Sequence, residues 1–391
     1  MDIERALRRV IAEMAERATY CDQTRTFPYE NFKLIVQEEL HTVTLSREYG
    51  GLEFNVQQTV NLLARMAGAC PSTALCLAMH YYSVGGFRRV MNAAMKDRVF
   101  RDIASNGEFI ASISYPHVIM VRPERTGDMI GIEAKKVEGG YLITGKKKYV
   151  SGSPMFKYLP VYCRLENAPS RSLGITALLA STELNGITRN NSWTCSGMKA
   201  TMSNEVVFEE CFVPEDCRIG REHYGIEDTQ ELVYWFRLAY ISVYLGIARR
   251  AFDHVLRISK EKRDSISQKP LTFMPGIQFN VADMHVKLET AFNQLMMTAQ
   301  CVDAAIEAGK ITPDLYVKTL VTQSYVSKVA NEVVWSAMEI EGMSAMNEGG
   351  LLERLYRDVR AATFHPPHGD LLKETMAKTI MGVMTVKSRW A

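Results

Sequence analysis

Excess charge is what this chain most lacks. Lysine and arginine together number 46 and aspartate and glutamate 44, a net of +2. That balance excludes the strong attraction on which nucleic-acid and anionic-membrane binders depend. No apolar run approaches the roughly 20 residues of a membrane span. The opening residues, Met1-Asp2-Ile3-Glu4-Arg5, carry acids early and have no apolar stretch of the signal-peptide kind. The eight cysteines include no Cys-x-x-Cys pair. Cys70, Cys76, Cys163, Cys195, Cys211 and Cys217 are scattered, so free thiols in a reducing cytoplasm are expected, not a disulfide framework or a zinc site. Only His365 and His368 lie close together, split by two prolines and without acidic or thiol neighbours. No metal is therefore expected. Internal repeats and low-complexity segments are also missing.

What is present suits an enzyme of two or three packed domains: 391 residues, 47% hydrophobic and 23% charged. Residues 1–110 read as helical. Val56, Val60, Leu63 and Ala67 share one helical face, and Pro71-Ser72-Thr73 can start a helix over Ala74 to Met79. Tyr49-Gly50-Gly51 reads as a turn. From 111 to 222 short apolar runs alternate with turn signals, which reads as a β domain. The runs are Phe109-Ile110-Ala111-Ser112-Ile113, Tyr141-Leu142-Ile143-Thr144, Gly174 to Leu179, and Glu205 to Phe208, with a tight turn at Glu138-Gly139-Gly140. From 223 to 391 the helical period returns. Leu238, Ile241, Leu245, Ala248, Phe252 and Val255 keep three-to-four spacing, and further helices are expected over about 281–308, 313–347 and 370–385. Four long helices suggest a bundle. The stretch 264–276, with Pro270, Pro275 and Gly276, is the clearest loop.

Several segments carry a family likeness. Glu353-Arg354-Leu355-Tyr356-Arg357-Asp358-Val359-Arg360 followed by Ala361-Ala362-Thr363-Phe364-His365-Pro366-Pro367-His368 resembles the C-terminal signature of the acyl-CoA dehydrogenase superfamily. Gly139-Gly140-Tyr141 through Tyr149-Val150-Ser151, Val206 to Pro214, Pro275 to Met284 and the Tyr49-Gly50-Gly51 turn resemble further family segments. The resemblance covers essentially the whole chain. It implies an α+β fold: an N-terminal α-helical domain, a central β-barrel-like domain and a C-terminal four-helix bundle, assembled as a homotetramer through the bundle.

The same resemblance implies a flavin, FAD in most members, between the β domain and the bundle. Ile113 and Ser114 match positions that hydrogen-bond its pyrimidine end, Tyr149 the aromatic packed on the ring, and Ser151 the hydroxyl that reaches N5. Donors there stabilise the charge that arrives with a hydride. Arg263, Gln278 and the turn at Gly342 match groups that hold the adenosine diphosphate part in a neighbouring subunit. Pro275 and Glu339 replace two family glutamines, and Glu339 would repel a diphosphate.

The usual catalytic glutamate is replaced by Pro366, and its alternative position on the first bundle helix by Phe236, while Arg237 beside it is retained. His365 is then the candidate base. Two enzyme readings follow. The first is oxidation of an acyl thioester, of coenzyme A or a carrier protein, with an electron-transfer protein as partner. The second is a two-component monooxygenase whose reduced FMN or FAD comes from a flavin reductase, since members of that branch also lack the glutamate. The class that dominates the superfamily favours the first. A flavin-binding protein that has lost its chemistry is the third reading.

Overall fold

The computed structural model describes residues 2–113, 130–166 and 174–383. Five helices come first: α1 (Ile3–Thr24), α2 (Tyr29–Gln37), α3 (Val56–Ala67), α4 (Pro71–Phe87) and α5 (Ala93–Asn106). Their starts are written in the sequence. The Asp2 carboxylate accepts the Arg5 amide, and Asn55 and Gln58 form a reciprocal capping box on α3. Val56, Val60, Leu63 and Ala67 are all buried, as their spacing predicts. Helix α4 runs well past Met79 and is buried along its entire length. It can be, because Gly85 and Gly86 let another helix lie against it: a methyl at Gly85 would come within 2.7 Å of the Trp235 ring.

Among the described residues seven strands follow: β1 (Ile132–Val137), β2 (Gly140–Val150), β3 (Tyr158–Leu165), β4 (Ile175–Ser181), β5 (Ile187–Asn190), β6 (Asn204–Pro214) and β7 (Arg218–Ile219). Gly139, at φ 78°, closes the expected β1–β2 hairpin. The strand order is β5-β6-β2-β1-β3-β4-β7, antiparallel except for the parallel β1–β3 pair. Among the described residues this sheet is open and not barrel-like, which corrects the expected closure. Its edge strands β5 and β7 are only four and two residues long, and each pairs with a single neighbour. The run Phe109–Ile113 makes one isolated bridge, Ile110 to Tyr158, in place of the expected strand. Side chains of α4 claim its backbone instead: the Ile110 amide donates to His80 Nδ1 at 3.1 Å and the Ile113 amide to the Tyr82 hydroxyl at 2.8 Å.

The chain then returns to helices: α6 (Gly225–Asp228), α7 (Leu232–Glu261), α8 (Pro275–Glu307), α9 (Pro313–Glu341), α10 (Leu351–Val359) and α11 (Gly369–Ile380). Three are long, and α11, the expected fourth, is present but shorter than its expected range of about 370–385. Helix α8 begins at Pro275, six residues before its expected start, because proline needs no amide partner in a first turn. Helix α9 stops at Glu341 because Gly342 turns to φ 78°. Helix α7 is central, packing on α3, α4, α8, α9 and α10. Among the described residues no helix is long and apolar enough to cross a membrane.

Candidate active site

A cavity of about 970 Å³ opens between the sheet, α4, α7 and the loop that follows α10. Its sheet wall is the end of β2. The register against β6 shifts between Lys147 and Val150, and at that bulge Tyr149 adopts φ 61°. Such a backbone is costly for a bulky residue and is kept where its surroundings impose it. It leaves the Tyr149 ring 69% exposed, edge-on to Trp193 at 6.2 Å. Both aromatics line the cavity.

Beside them runs a chain of three hydroxyls. Ser151 Oγ lies 2.8 Å from Ser203 Oγ, and Ser203 Oγ 2.7 Å from Thr201 Oγ1. Thr201 donates its single proton to the Met198 carbonyl at 2.8 Å. Ser203 must then donate to Thr201, and Ser151 to Ser203, since each hydroxyl carries one proton. Ser151 is thereby left as an acceptor toward the cavity. The Met198 anchor is itself held, because the Asp358 carboxylate accepts the Met198 amide. Arg357 pairs with Asp22 at 2.6 Å and with Glu353. The Arg-Asp pair of the C-terminal signature therefore fastens α10 to α1 and to the loop that carries the hydroxyl chain. Desolvation raises the Asp358 carboxyl to about 6.

Lys147, on the same strand, is buried and donates from Nζ to the carbonyls of Ser112 and Pro160. Among the described residues no carboxylate pairs with it, and burial lowers its ammonium to about 7.

On the helical side His365 lies against a stripe of aromatics on α7. Its Nε2 is 2.6 Å from the Tyr244 hydroxyl, and its ring stacks on Tyr240 at 4.3 Å. Phe236 stands one turn further back, 6.4 Å from the imidazole. Gln323 on α9 fixes the loop by donating to the Pro367 carbonyl at 2.6 Å and the His365 carbonyl at 3.3 Å. Desolvation pushes His365 down to about 4, so its imidazole is neutral near pH 7. It is a hydrogen-bonding group there and a weak proton acceptor.

The structure thus gathers Ile113, Tyr149, Ser151 and His365 around one cavity. The Ile113 amide is already engaged by Tyr82. Ser114 lies outside the described residues. Arg263, Gln278 and Gly342 do not line the cavity; they are exposed where α7, α8 and α9 end or begin. Arg263 donates to the Gln268 carbonyl at 2.8 Å and Gln278 to the Thr272 carbonyl at 2.9 Å. Tyr244, Trp193, Ser203, Thr201 and Lys147 escape sequence reasoning. The spacing 236, 240, 244 marks an aromatic stripe, which packing alone explains. All eight cysteines are free and five are buried, while Cys195 is exposed on the cavity wall.

Among the described residues no aspartate or glutamate lines the cavity, whereas Lys146, Lys147, Lys148, Arg237, Arg357 and Arg360 do. The three lysines, all on β2, fit an anionic, electron-rich cofactor. The exposed Tyr149 ring, the half-buried Trp193 and a directed hydroxyl suit a flat ring with polar edges. The wall therefore fits a flavin, with Tyr149, Trp193 and Ser151 as the residues that would hold its ring.

Comparison with known proteins agrees. Residues 2–107 match the acyl-CoA dehydrogenase N-terminal domain model and residues 238–368 the acyl-CoA dehydrogenase C-terminal domain model. Mitochondrial isovaleryl-CoA dehydrogenase of Arabidopsis thaliana is 27% identical over 90% of this chain and 82% of its own length. In fold, the chain is similar to butyryl-CoA dehydrogenase of Megasphaera elsdenii at TM-score 0.84 and 18% identity, covering 97% of this chain and 98% of that one. It is equally similar to dibenzothiophene monooxygenase of Paenibacillus sp. A11-2 at TM-score 0.84 and 21% identity, covering 97% of each. Fold and site together define a flavoenzyme with helical, sheet and helical parts. The chain belongs to the acyl-CoA dehydrogenase superfamily and is a flavin oxidoreductase of that type.

Proposed function

We propose that this protein is the oxygenase component of a two-component system, a monooxygenase that takes reduced flavin from a reductase and acts on a small molecule. The absence of any carboxylate from the cavity wall, among the described residues, carries this reading. Oxidation of an acyl thioester needs a base for the α proton. Phe236 and Pro366 stand where glutamates would, and the buried His365, lowered to about 4, is a poor substitute.

Ser151 supports the same reading. The hydroxyl chain behind it makes it an acceptor, which suits the N5–H of reduced flavin and not the bare N5 of oxidised flavin. FMN is favoured over FAD because Pro275 and the exposed Glu339 occupy positions where glutamine donors would grip an adenosine diphosphate. Bound reduced flavin would supply the electrons that activate dioxygen. The chain's own part is to exclude water with the aromatic stripe, orient substrate, and offer the neutral His365–Tyr244 pair as hydrogen-bond partner to the reacting group.

The test compares ligands without needing the natural substrate. Anaerobically, reduced FMN should raise the melting temperature more than oxidised FMN. A panel of straight and branched acyl-CoAs should leave the oxidised, flavin-loaded protein unbleached. Bleaching by any of them returns the protein to the thioester-oxidising reading.

A further inference from the structure

Arg237 on α7 is 2% exposed. Its Nη1 donates to Thr319 Oγ1 on α9 at 2.5 Å, and its guanidinium lies 4.8 Å from the centre of the Tyr316 ring. Thr319 gives its own proton to the Tyr316 carbonyl at 2.8 Å, so it meets the arginine as an acceptor. Both contacts are with neutral groups. Among the described residues no ion pair reaches Arg237, and its Nε and Nη2 carry no hydrogen bond. Arginine stays protonated at any working pH, and burying a charge without a partner is costly. By contrast, Arg357 in the same cavity wall is paired with two carboxylates.

Nor is Arg237 sealed into packing, since it forms part of the cavity wall. The edge that makes no hydrogen bond among the described residues is the Nε–Nη2 side, whose two parallel donors match the two oxygens of a carboxylate. The position relates to the reacting end of the cavity. Thr319 and Gln323 are one helical turn apart on α9, roughly 5–6 Å, and Gln323 holds the loop bearing His365. Phe236, 6.4 Å from the His365 ring, and Tyr316, under the guanidinium, line the same cavity with Val233.

We infer that Arg237 is the anchor for an anionic substrate: the molecule that enters this cavity carries a carboxylate on a compact apolar body, and the guanidinium grips that carboxylate side-on. This assignment of the bound acid as substrate rests on the monooxygenase reading. The competing anion is the flavin phosphate; the cations it would meet at the cavity rim are the exposed Lys146 and Lys148, which share the single carboxylate of Glu205.

Calorimetric titration of the full chain, saturated with oxidised FMN, tests it with indole-3-acetate and phenylacetate against their primary amides. The acids should bind at least about tenfold more tightly than the amides. Arg237→Met should erase that preference while leaving FMN affinity within about twofold. Equal binding of acid and amide by the parent, no binding of either acid, a preference that survives in Arg237→Met, or a loss of FMN affinity in that variant would each overturn the inference. Should Arg237→Met fail to fold, Arg237→Lys carries the test. A lysine cannot bind side-on through two nitrogens, so the acid-to-amide ratio should drop severalfold, and an unchanged ratio rejects the role. No turnover is involved, so bleaching by acyl-CoA would sink the monooxygenase reading without touching this result.

Discussion

His365 Nε2 lies 2.6 Å from the hydroxyl of Tyr244, a residue 121 positions earlier in the chain. Both groups are buried deeply enough that neither ionises near neutral pH: burial lowers the imidazole to about 4 and pushes the phenol well above its ordinary value. The pair is a neutral hydrogen bond between α7 and the loop after α10. Tyr244→Phe leaves the imidazole nitrogen without its partner and should cost about 1–3 kcal/mol of stability, read from urea unfolding. His365→Ala should lower product formation by about 10–100-fold, on the scale of one lost hydrogen bond to a reacting group, and raise the fraction of oxygen released as peroxide. Activity within about twofold of the parent rejects a role in the chemistry.

Acid should destabilise the fold through its buried histidines. His365 is held near 4 and His80 near 3, both by desolvation, against an unfolded value near 6.5. The unfolded state therefore binds more protons as pH falls below about 6.5. The stability that neutral burial provides is present above that pH and is lost as pH drops toward 4 and 3. Asp358, raised to about 6, opposes this: its buried neutral form is favoured between roughly 4 and 6. A difference measurement separates the two. Unfolding of His365→Phe should depend less steeply on pH between 4 and 6.5 than the parent. Parallel curves would mean that His365 binds its proton as readily in the native state as in the unfolded chain.

Lys147 should make flavin binding depend on pH near neutrality. Burial brings its ammonium down to about 7, so the strand loses a cation as pH rises through that value. An anionic flavin binds better to the charged form. The dissociation constant for FMN, followed by fluorescence, should increase from pH 6 to pH 8.5 in the parent and stay flat in Lys147→Met. A parent curve with no dependence removes Lys147 from the cofactor's surroundings.

Ser151→Ala removes the cavity end of the hydroxyl chain. Ser203 and Thr201 keep each other satisfied, so folding should be little changed. Reduced-flavin affinity should fall about tenfold or more, since a hydrogen bond to a partly charged group is worth about 1.5–3 kcal/mol. Oxidised flavin should lose less, because an acceptor has little to offer its N5. Equal losses for both redox states would show that Ser151 does not select between them.

Much of this architecture is legible because the chain's periodicity is simple. The aligned apolar positions of α3 and the Gly139 hairpin are local signals and meet no tertiary competitor. The misses arise where distant residues intervene. Phe109–Ile113 has a strand composition, yet His80 and Tyr82 of α4 take the amides that a sheet neighbour would have paired. Among the described residues the sheet is open and ends in β7, only two residues long, a length no composition reveals. Around the cavity, Pro366 and Phe236 make the missing glutamate visible. Tyr244 and Lys147 are invisible in sequence, since one reads as packing in a helix and the other as the middle of three lysines. Their roles come from burial against groups far along the chain.

The exposed ends of α8 and α9 point to an assembly. Arg263, Gln278 and Gly342 are solvent-facing in the single chain, yet large apolar neighbours surround them in sequence. Ile266 is 92% exposed, Phe279 70% and Met343 85%. Uncovered apolar side chains grouped near polar ones are what a subunit contact leaves when the partner is removed. Lys262 ties this end together by donating to the Glu341 carbonyl and the Ser344 hydroxyl, so the surface is held in shape. The expectation is a homotetramer, or at least a dimer, joined through the bundle. Light scattering at micromolar concentration should give a multiple of the chain mass of 44.1 kDa. Phe279→Asp should shift it toward the monomer, because it places a charge in the middle of the contact. The same variant should weaken flavin binding if Arg263 and Gln278 serve the partner's cofactor, and leave it unchanged if each cavity holds its flavin alone. A monomeric parent would show that these side chains are simply exposed.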